Sequence, residues 1–266
     1  MSGQPTERTL SLRGGMFEIR VADAGSGQPV VYLHGSEGPH DGWPDFLASL
    51  AERYHVIAPD LAGFGASTGA EHLRDVHDLV IHGLDLLDAL DVARPHVVGH
   101  DLGGMLAAEL AAVAGGRIGK LVLAAPLGLW NDREPVLDVF AVLRDEIDSA
   151  YWYDPASAAA TAVLAHSSSE EEARRVTLLR HQNLSVATRF VWPIPDRGLN
   201  RRIHRVTSET LLIWGADDRV VPASYGERFA GLLPNARLVT LPDCGHLPML
   251  ERPAAFVEAA RSLLDG

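Results

Sequence analysis

Short apolar runs without alternation recur along this chain, and each is followed by a segment of helical spacing; this rhythm restricts the fold more than any other feature. The runs are Pro29-Val30-Val31-Tyr32-Leu33, His55-Val56-Ile57-Ala58, Val97-Val98, Leu121-Val122-Leu123 and Leu211-Leu212-Ile213. A strand that is apolar on both sides is buried on both faces, as in a parallel sheet covered by helices. Between the runs, residues 71–91 place Leu73, Val76, Leu79, Val80, Leu84, Leu87 and Leu90 three and four apart, with Asp75, Asp78 and His82 off that stripe. Strands alternating with helices predict right-handed crossovers and an α/β sheet. Ahead of them, Phe17, Ile19 and Val21 alternate with Glu18 and Arg20 beyond Gly14-Gly15, which predicts a hairpin over residues 9–22.

The rhythm stops between about Pro126 and Thr207. That stretch reads as helices rich in Ala, Leu and Glu, carries the clusters Tyr151-Trp152-Tyr153 and Phe190-Val191-Trp192, and contains no strand-like run. The expectation is a sheet domain built from residues 1–125 and 207–266, with residues 126–206 inserted as a helical cap over the sheet's C-terminal edge, where open α/β sheets bind ligands. The 266 residues, 47% hydrophobic, are enough for one such core.

Charge and cysteine usage narrow the partners. With 23 Lys+Arg against 35 Asp+Glu the formal charge is -12, which repels a phosphate backbone. Cys244 is the one cysteine, so no internal disulfide forms, and no Cys/His ligand cluster suggests a metal. The first residues lack an apolar stretch, and no run approaches the roughly 20 apolar residues that span a bilayer. The expected partner is a small-molecule substrate, with no nucleic acid, membrane, cofactor or metal, and the expected location is the cytoplasm. Whether the chain forms a homo-oligomer is left open by the sequence.

Three motifs carry chemistry. Val97-Val98-Gly99-His100-Asp101-Leu102-Gly103-Gly104 is an apolar strand, G-x-D-x-G and an Ala- and Leu-rich helix, the context of a nucleophile elbow. Glycines at its flanks let strand and helix approach around a strained middle residue. There Asp101 stands at a helix N-terminus, where the dipole favours an anion. Trp214-Gly215-Ala216-Asp217-Asp218 follows the run 211–213 and offers Asp218, ahead of Asp217, to orient a histidine. Leu241-Pro242-Asp243-Cys244-Gly245-His246 then supplies a loop histidine.

In this order of nucleophile, acid and histidine the chain resembles the α/β-hydrolase superfamily over nearly its whole length. His34-Gly35 after an early strand and Pro59-Asp60-Leu61-Ala62-Gly63-Phe64-Gly65 after the next belong to the same pattern. The resemblance implies catalytic Asp101, Asp218 and His246, an oxyanion hole from the backbone N–H groups of Ser36 and Leu102, and a cap. Most of the superfamily presents Ser at the elbow, whereas this elbow resembles the epoxide hydrolases and haloalkane dehalogenases. Attack by an aspartate on an sp3 carbon gives an alkyl ester, which His246 and water would cleave. Epoxide hydrolysis is expected first and dehalogenation second, because Leu102 offers no side-chain hydrogen bond to a halide. The loop His34-Gly35-Ser36-Glu37-Gly38 looks more like ester and carbon–carbon bond hydrolases, a rival reading, and a non-catalytic ligand-binding protein is a third.

Around this centre the substrate-binding candidates are His34, Glu37, Trp130, Tyr151, Tyr153 and Trp192. His34 is expected chiefly to brace its loop. Tyr151 and Tyr153, two apart, would point about 200° apart on a helix, so only one can serve as an acid for an epoxide oxygen. Cys244 reads as a small loop filler, and the basic run Arg197, Arg201, Arg202, His204 and Arg205 as a solvated helix face.

Overall fold

The computed structural model describes residues 4–40, 42–164, 170–193 and 196–266. Among these, eight strands form one sheet in the order β1-β2-β4-β3-β5-β6-β7-β8. They are β1 (Thr6–Leu12), β2 (Phe17–Ala24), β3 (Pro29–Leu33), β4 (His55–Pro59), β5 (His96–His100), β6 (Leu121–Ala124), β7 (Thr210–Gly215) and β8 (Ala236–Leu241). The β1–β2 hairpin joins antiparallel to β4, and every pair from β4 to β8 is parallel. Each apolar run of the sequence is a strand, and β6 and β7 are buried at every position, which requires cover on both faces. The α/β-hydrolase fold follows: a mostly parallel sheet flanked by helices.

That cover comes from α1 (Asp45–Ala51), α2 (Val76–Ala89), α3 (Asp101–Ala114), α7 (Ser224–Leu232), α8 (Pro248–Glu251) and α9 (Pro253–Leu264), with α1 packed on α9 and α2 on α3. Between β6 and β7 lie α4 (Arg144–Tyr151), α5 (Ala158–Leu164) and α6 (Glu170–Val191), and no strand among the described residues. Helix α6 buries Ala187 and Phe190 and ties down two loops at the sheet's C-terminal edge. Its Asn183 donates through Nδ2 to the Glu37 carbonyl at 2.7 Å and accepts from the Gly65 N–H at 3.4 Å. No described helix is long and apolar enough to cross a membrane.

The structure corrects three local expectations. Helix α2 starts at Val76 rather than residue 71, because the Asp75 carboxylate accepts the Asp78 N–H at 2.9 Å and caps it, leaving Leu73 to pack from the preceding turn. His82, set off the apolar stripe by the sequence pattern, is buried with its ring against Phe17. Strand β8 escaped the apolar-run criterion because it is an edge strand, exposed at Arg237 and Thr240 and fully buried at Leu241 alone.

Candidate active site

Asp101 opens α3 straight after β5, with its backbone at φ +50°, a left-handed conformation costly to a residue with a Cβ. The strain is held by crowding. A Cβ on Gly103 would fall on the carbonyl oxygens of Leu33 and His34, and one on Gly104 would sit 2.8 Å from Pro126 Cβ. Gly35 is needed for the same reason, since a Cβ there would sit 2.7 Å from His100 Nδ1 and 3.0 Å from Asp101 Cβ. The loop after β3 therefore closes onto the elbow, and the Ser36 N–H donates to Asp101 Oδ2 at 2.6 Å. Leu102 is buried as the second residue of α3.

Asp218 and His246 reach this carboxylate from the loops after β7 and β8. Asp218 Oδ1 accepts the N–H groups of Val220 and Val221, both at 2.9 Å, which leaves Oδ2 to accept from His246 Nδ1 at 2.8 Å. His246 Nε2 is then 3.7 Å from Asp101 Oδ1. All three side chains are within 3% of full burial. The neighbouring Asp217 is partly exposed and turns its N–H to the Cys244 carbonyl, so the two adjacent carboxylates separate cleanly. Cys244 is buried, and burial raises its thiol pKa to about 12, the wrong direction for a nucleophile.

Electrostatics set the resting charges. Burial alone depresses the His246 imidazolium, but the Asp218 and Asp101 carboxylates more than reverse it, to about 10. Burial likewise raises the Asp101 carboxyl, and His246 with the Ser36 N–H outweighs it, so Asp101 lies well below the usual carboxylate range. Asp101 is thereby favoured as the carboxylate and His246 as the imidazolium. Because the folded pKa of His246 exceeds its ordinary 6.5, this pairing stabilises the fold fully below 6.5 and is lost as pH rises through about 10. The thermal midpoint of the wild type should thus fall more steeply over that alkaline range than that of His246→Gln. Parallel slopes in scanning calorimetry would show that His246 is not the titrating group.

His34 braces this site: its Nε2 accepts the Leu61 N–H at 2.9 Å, so Nδ1 carries the proton and donates to the Gly35 carbonyl at 2.8 Å. Glu37 points elsewhere, into a half-buried ion cluster that the sequence did not disclose. Arg180 of α6 lies with Nε 3.1 Å from Glu37 Oε2 and Nη1 2.7 Å from Asp148 Oδ1 of α4.

A narrow cavity opens beside Asp101 and Ser36. Its wall is mainly apolar, including Met105, Leu129, Val136 and Phe140, with Tyr151 and Arg197 as polar exceptions. Tyr151, the last residue of α4, is buried with its ring edge-on to His246 at 5.0 Å, and burial keeps its hydroxyl protonated well above the usual range. Tyr153 and Trp192 are exposed, and Trp130 donates to Asp132; none of the three lines this cavity. The basic run is no single solvated face. Arg202 pairs with Glu109, Arg205 donates to the Ala112 carbonyl, and Arg197 turns inward. Its position in that run was the one sequence hint of a cation here; Arg180, on a polar helix, had none.

A sheet that delivers a carboxylate at its elbow and a second carboxylate with a histidine from later loops defines a hydrolase scaffold. Comparison with known proteins agrees. Residues 30–259 match the model of the alpha/beta hydrolase family, and the chain belongs to that family. The 2-hydroxy-6-oxononadienedioate/2-hydroxy-6-oxononatrienedioate hydrolase of Comamonas testosteroni is 27% identical, over 90% of this chain and 88% of its own. The pimeloyl-[acyl-carrier protein] methyl ester esterase of Nitrosomonas europaea is 30% identical over 93% of this chain and all of its own. Among solved structures, a bacterial membrane phospholipase A superposes with a TM-score of 0.84 at 26% identity, over 99% of this chain and 86% of that one. Relatives of such varied activity establish a hydrolase and leave the reaction to the site; they do not support the expected epoxide hydrolase subtype.

Proposed function

We propose that this hydrolase attacks small organic electrophiles at saturated carbon, epoxides first and halides second, through an alkyl ester on Asp101. His246 activates water, Asp218 orients it, and the N–H groups of Ser36 and Leu102 hold the oxyanion, beneath a cap formed by residues 126–206. One observation carries the reading: the Ser36 N–H already holds Asp101 Oδ2 at 2.6 Å, so the carboxylate is fixed at the donor the oxyanion would use, and Oδ1 is left for attack.

The protonation states support a balanced cycle. Asp101 Oδ1 bonds to an oxirane carbon, the ring C–O bond breaks, and the alkoxide takes a proton from Tyr151, which is resupplied from the His246 imidazolium. Esterification removes one of the two carboxylate charges that raise the His246 pKa, leaving Asp218, so the imidazole becomes a better base when a base is needed. It takes a proton from water, and the hydroxide adds to the ester carbonyl. The tetrahedral intermediate then collapses, and the new carboxylic acid hands its proton to the departing alkoxide, returning Asp101 and His246 to their resting charges. A single turnover of styrene oxide in heavy-oxygen water should leave the label in the peptide containing Asp101 by mass spectrometry. An active enzyme with no label there overturns the scheme.

A second reading, an ester or carbon–carbon bond hydrolase with Asp in place of Ser, draws on the similarity to the Comamonas and Nitrosomonas enzymes. Aryl ester turnover that rises in Asp101→Ser would favour it.

A further inference from the structure

The cavity beside Asp101 holds a charge that the hydrolytic cycle does not use. Arg197 lines it, and its Nε and Nη2 are shielded from solvent with no hydrogen-bond partner. Other arginines of the region are engaged: Arg180 with Glu37 and Asp148, Arg202 with Glu109, Arg205 with the Ala112 carbonyl. Guanidinium N–H groups left without acceptors away from water destabilise a fold, and a ligand that supplies the acceptors offsets that cost.

The segment bearing Arg197 is also held in place. Asp196 Oδ1 accepts the Gly198 N–H at 2.6 Å, and Arg202 Nη2 donates to the Arg197 carbonyl at 3.1 Å. Arg202 is in turn anchored by Nε to Glu109 Oε2 at 2.7 Å, and Glu109 belongs to α3, the helix that Asp101 opens. The unpaired cation and the elbow carboxylate are therefore mounted on one frame.

We infer that Arg197 receives a carboxylate of the substrate, which makes that substrate a small organic acid whose electrophilic carbon and carboxylate are joined by an apolar spacer. The charge count favours a single anion. Among the residues lining the cavity Asp101 is the one carboxylate and Arg197 the one cation, so without Arg197 an anion there would meet repulsion with no counter-charge. One planar fork suits one carboxylate, and no second cation is found among the residues lining the cavity to balance a phosphate dianion. Leu127, Leu129, Val139 and Phe140 supply the apolar wall for the spacer.

The inference rests on the proposed hydrolytic reading only for which carbon reacts, so its test avoids turnover. Calorimetric binding of hexanoate and of hexanamide is compared in the wild type, Arg197→Gln and Arg197→Lys. The expected result is hexanoate binding about tenfold or more weaker in Arg197→Gln, with hexanamide bound alike by both. If Arg197→Gln loses both ligands, a hexanoate preference retained in Arg197→Lys supports the role of the charge, and its absence there overturns it. Hexanoate bound no more tightly than hexanamide by the wild type, or equally by wild type and Arg197→Gln, overturns the inference. A failed oxygen label on Asp101 would leave these outcomes untouched, and the reverse also holds.

Discussion

His246→Gln is expected to take up one substrate molecule and keep it. In the proposed cycle the first step needs the Asp101 carboxylate and the Tyr151 proton, both still present, whereas ester cleavage needs a base. Glutamine can still donate an amide N–H toward Asp218 but cannot deprotonate water. Turnover should fall by about 10²–10⁴-fold, and the intact mass of the variant after incubation with an epoxide should rise by one substrate mass. The modified peptide should contain Asp101. A variant that loses turnover and stays unmodified would place His246 ahead of covalent attack. One that keeps turnover would remove it from the reaction.

Gly103→Ala is expected to be among the most damaging single methyl groups near the site. The added Cβ has no side chain to push aside, because what it meets are the backbone oxygens of Leu33 and His34 at the end of β3, which pairs with both β4 and β5. Relief requires α3 to retreat from the sheet, and with it the residue at φ +50° that α3 carries at its start. Chemical denaturation should show a loss of about 3 kcal/mol, the upper end of the usual overpacking range, because the groups met are backbone. A loss under about 0.5 kcal/mol, the size of an ordinary surface change, would mean that the elbow has slack the geometry denies.

What could be read from residues alone was whatever repeats over a few positions or depends on chain order. The parallel strands announced themselves as unbroken apolar runs, and three motifs in hydrolase order brought Asp101, Asp218 and His246 together before any coordinate did so. Strand β8 was hidden because an edge strand keeps one side in water. His82 was misplaced because a helix that packs on both a sheet and a neighbour buries more than one stripe. Tyr151 is buried and Tyr153 exposed, but not through the helical angle expected of them, because α4 stops at Tyr151 itself and Tyr153 lies beyond it. The ion cluster of Glu37, Arg180 and Asp148 and the inward turn of Arg197 join residues far apart in the chain, and no local period records such meetings.

That ion cluster acts as an interlock. Helix α6 reaches the cavity wall at Val191 and, eleven and eight residues earlier, grips the loop after β3 through Arg180 on Glu37 and Asn183 on the Glu37 carbonyl. The next residue back along that loop is Ser36, whose N–H seats the Asp101 carboxylate. Widening the cavity by swinging α6 outward would have to break those ties or drag the loop, and dragging the loop unseats the donor. By that route an open door and a cocked trigger exclude each other: α6 cannot swing out with these ties intact and leave the donor to Asp101 in its seat.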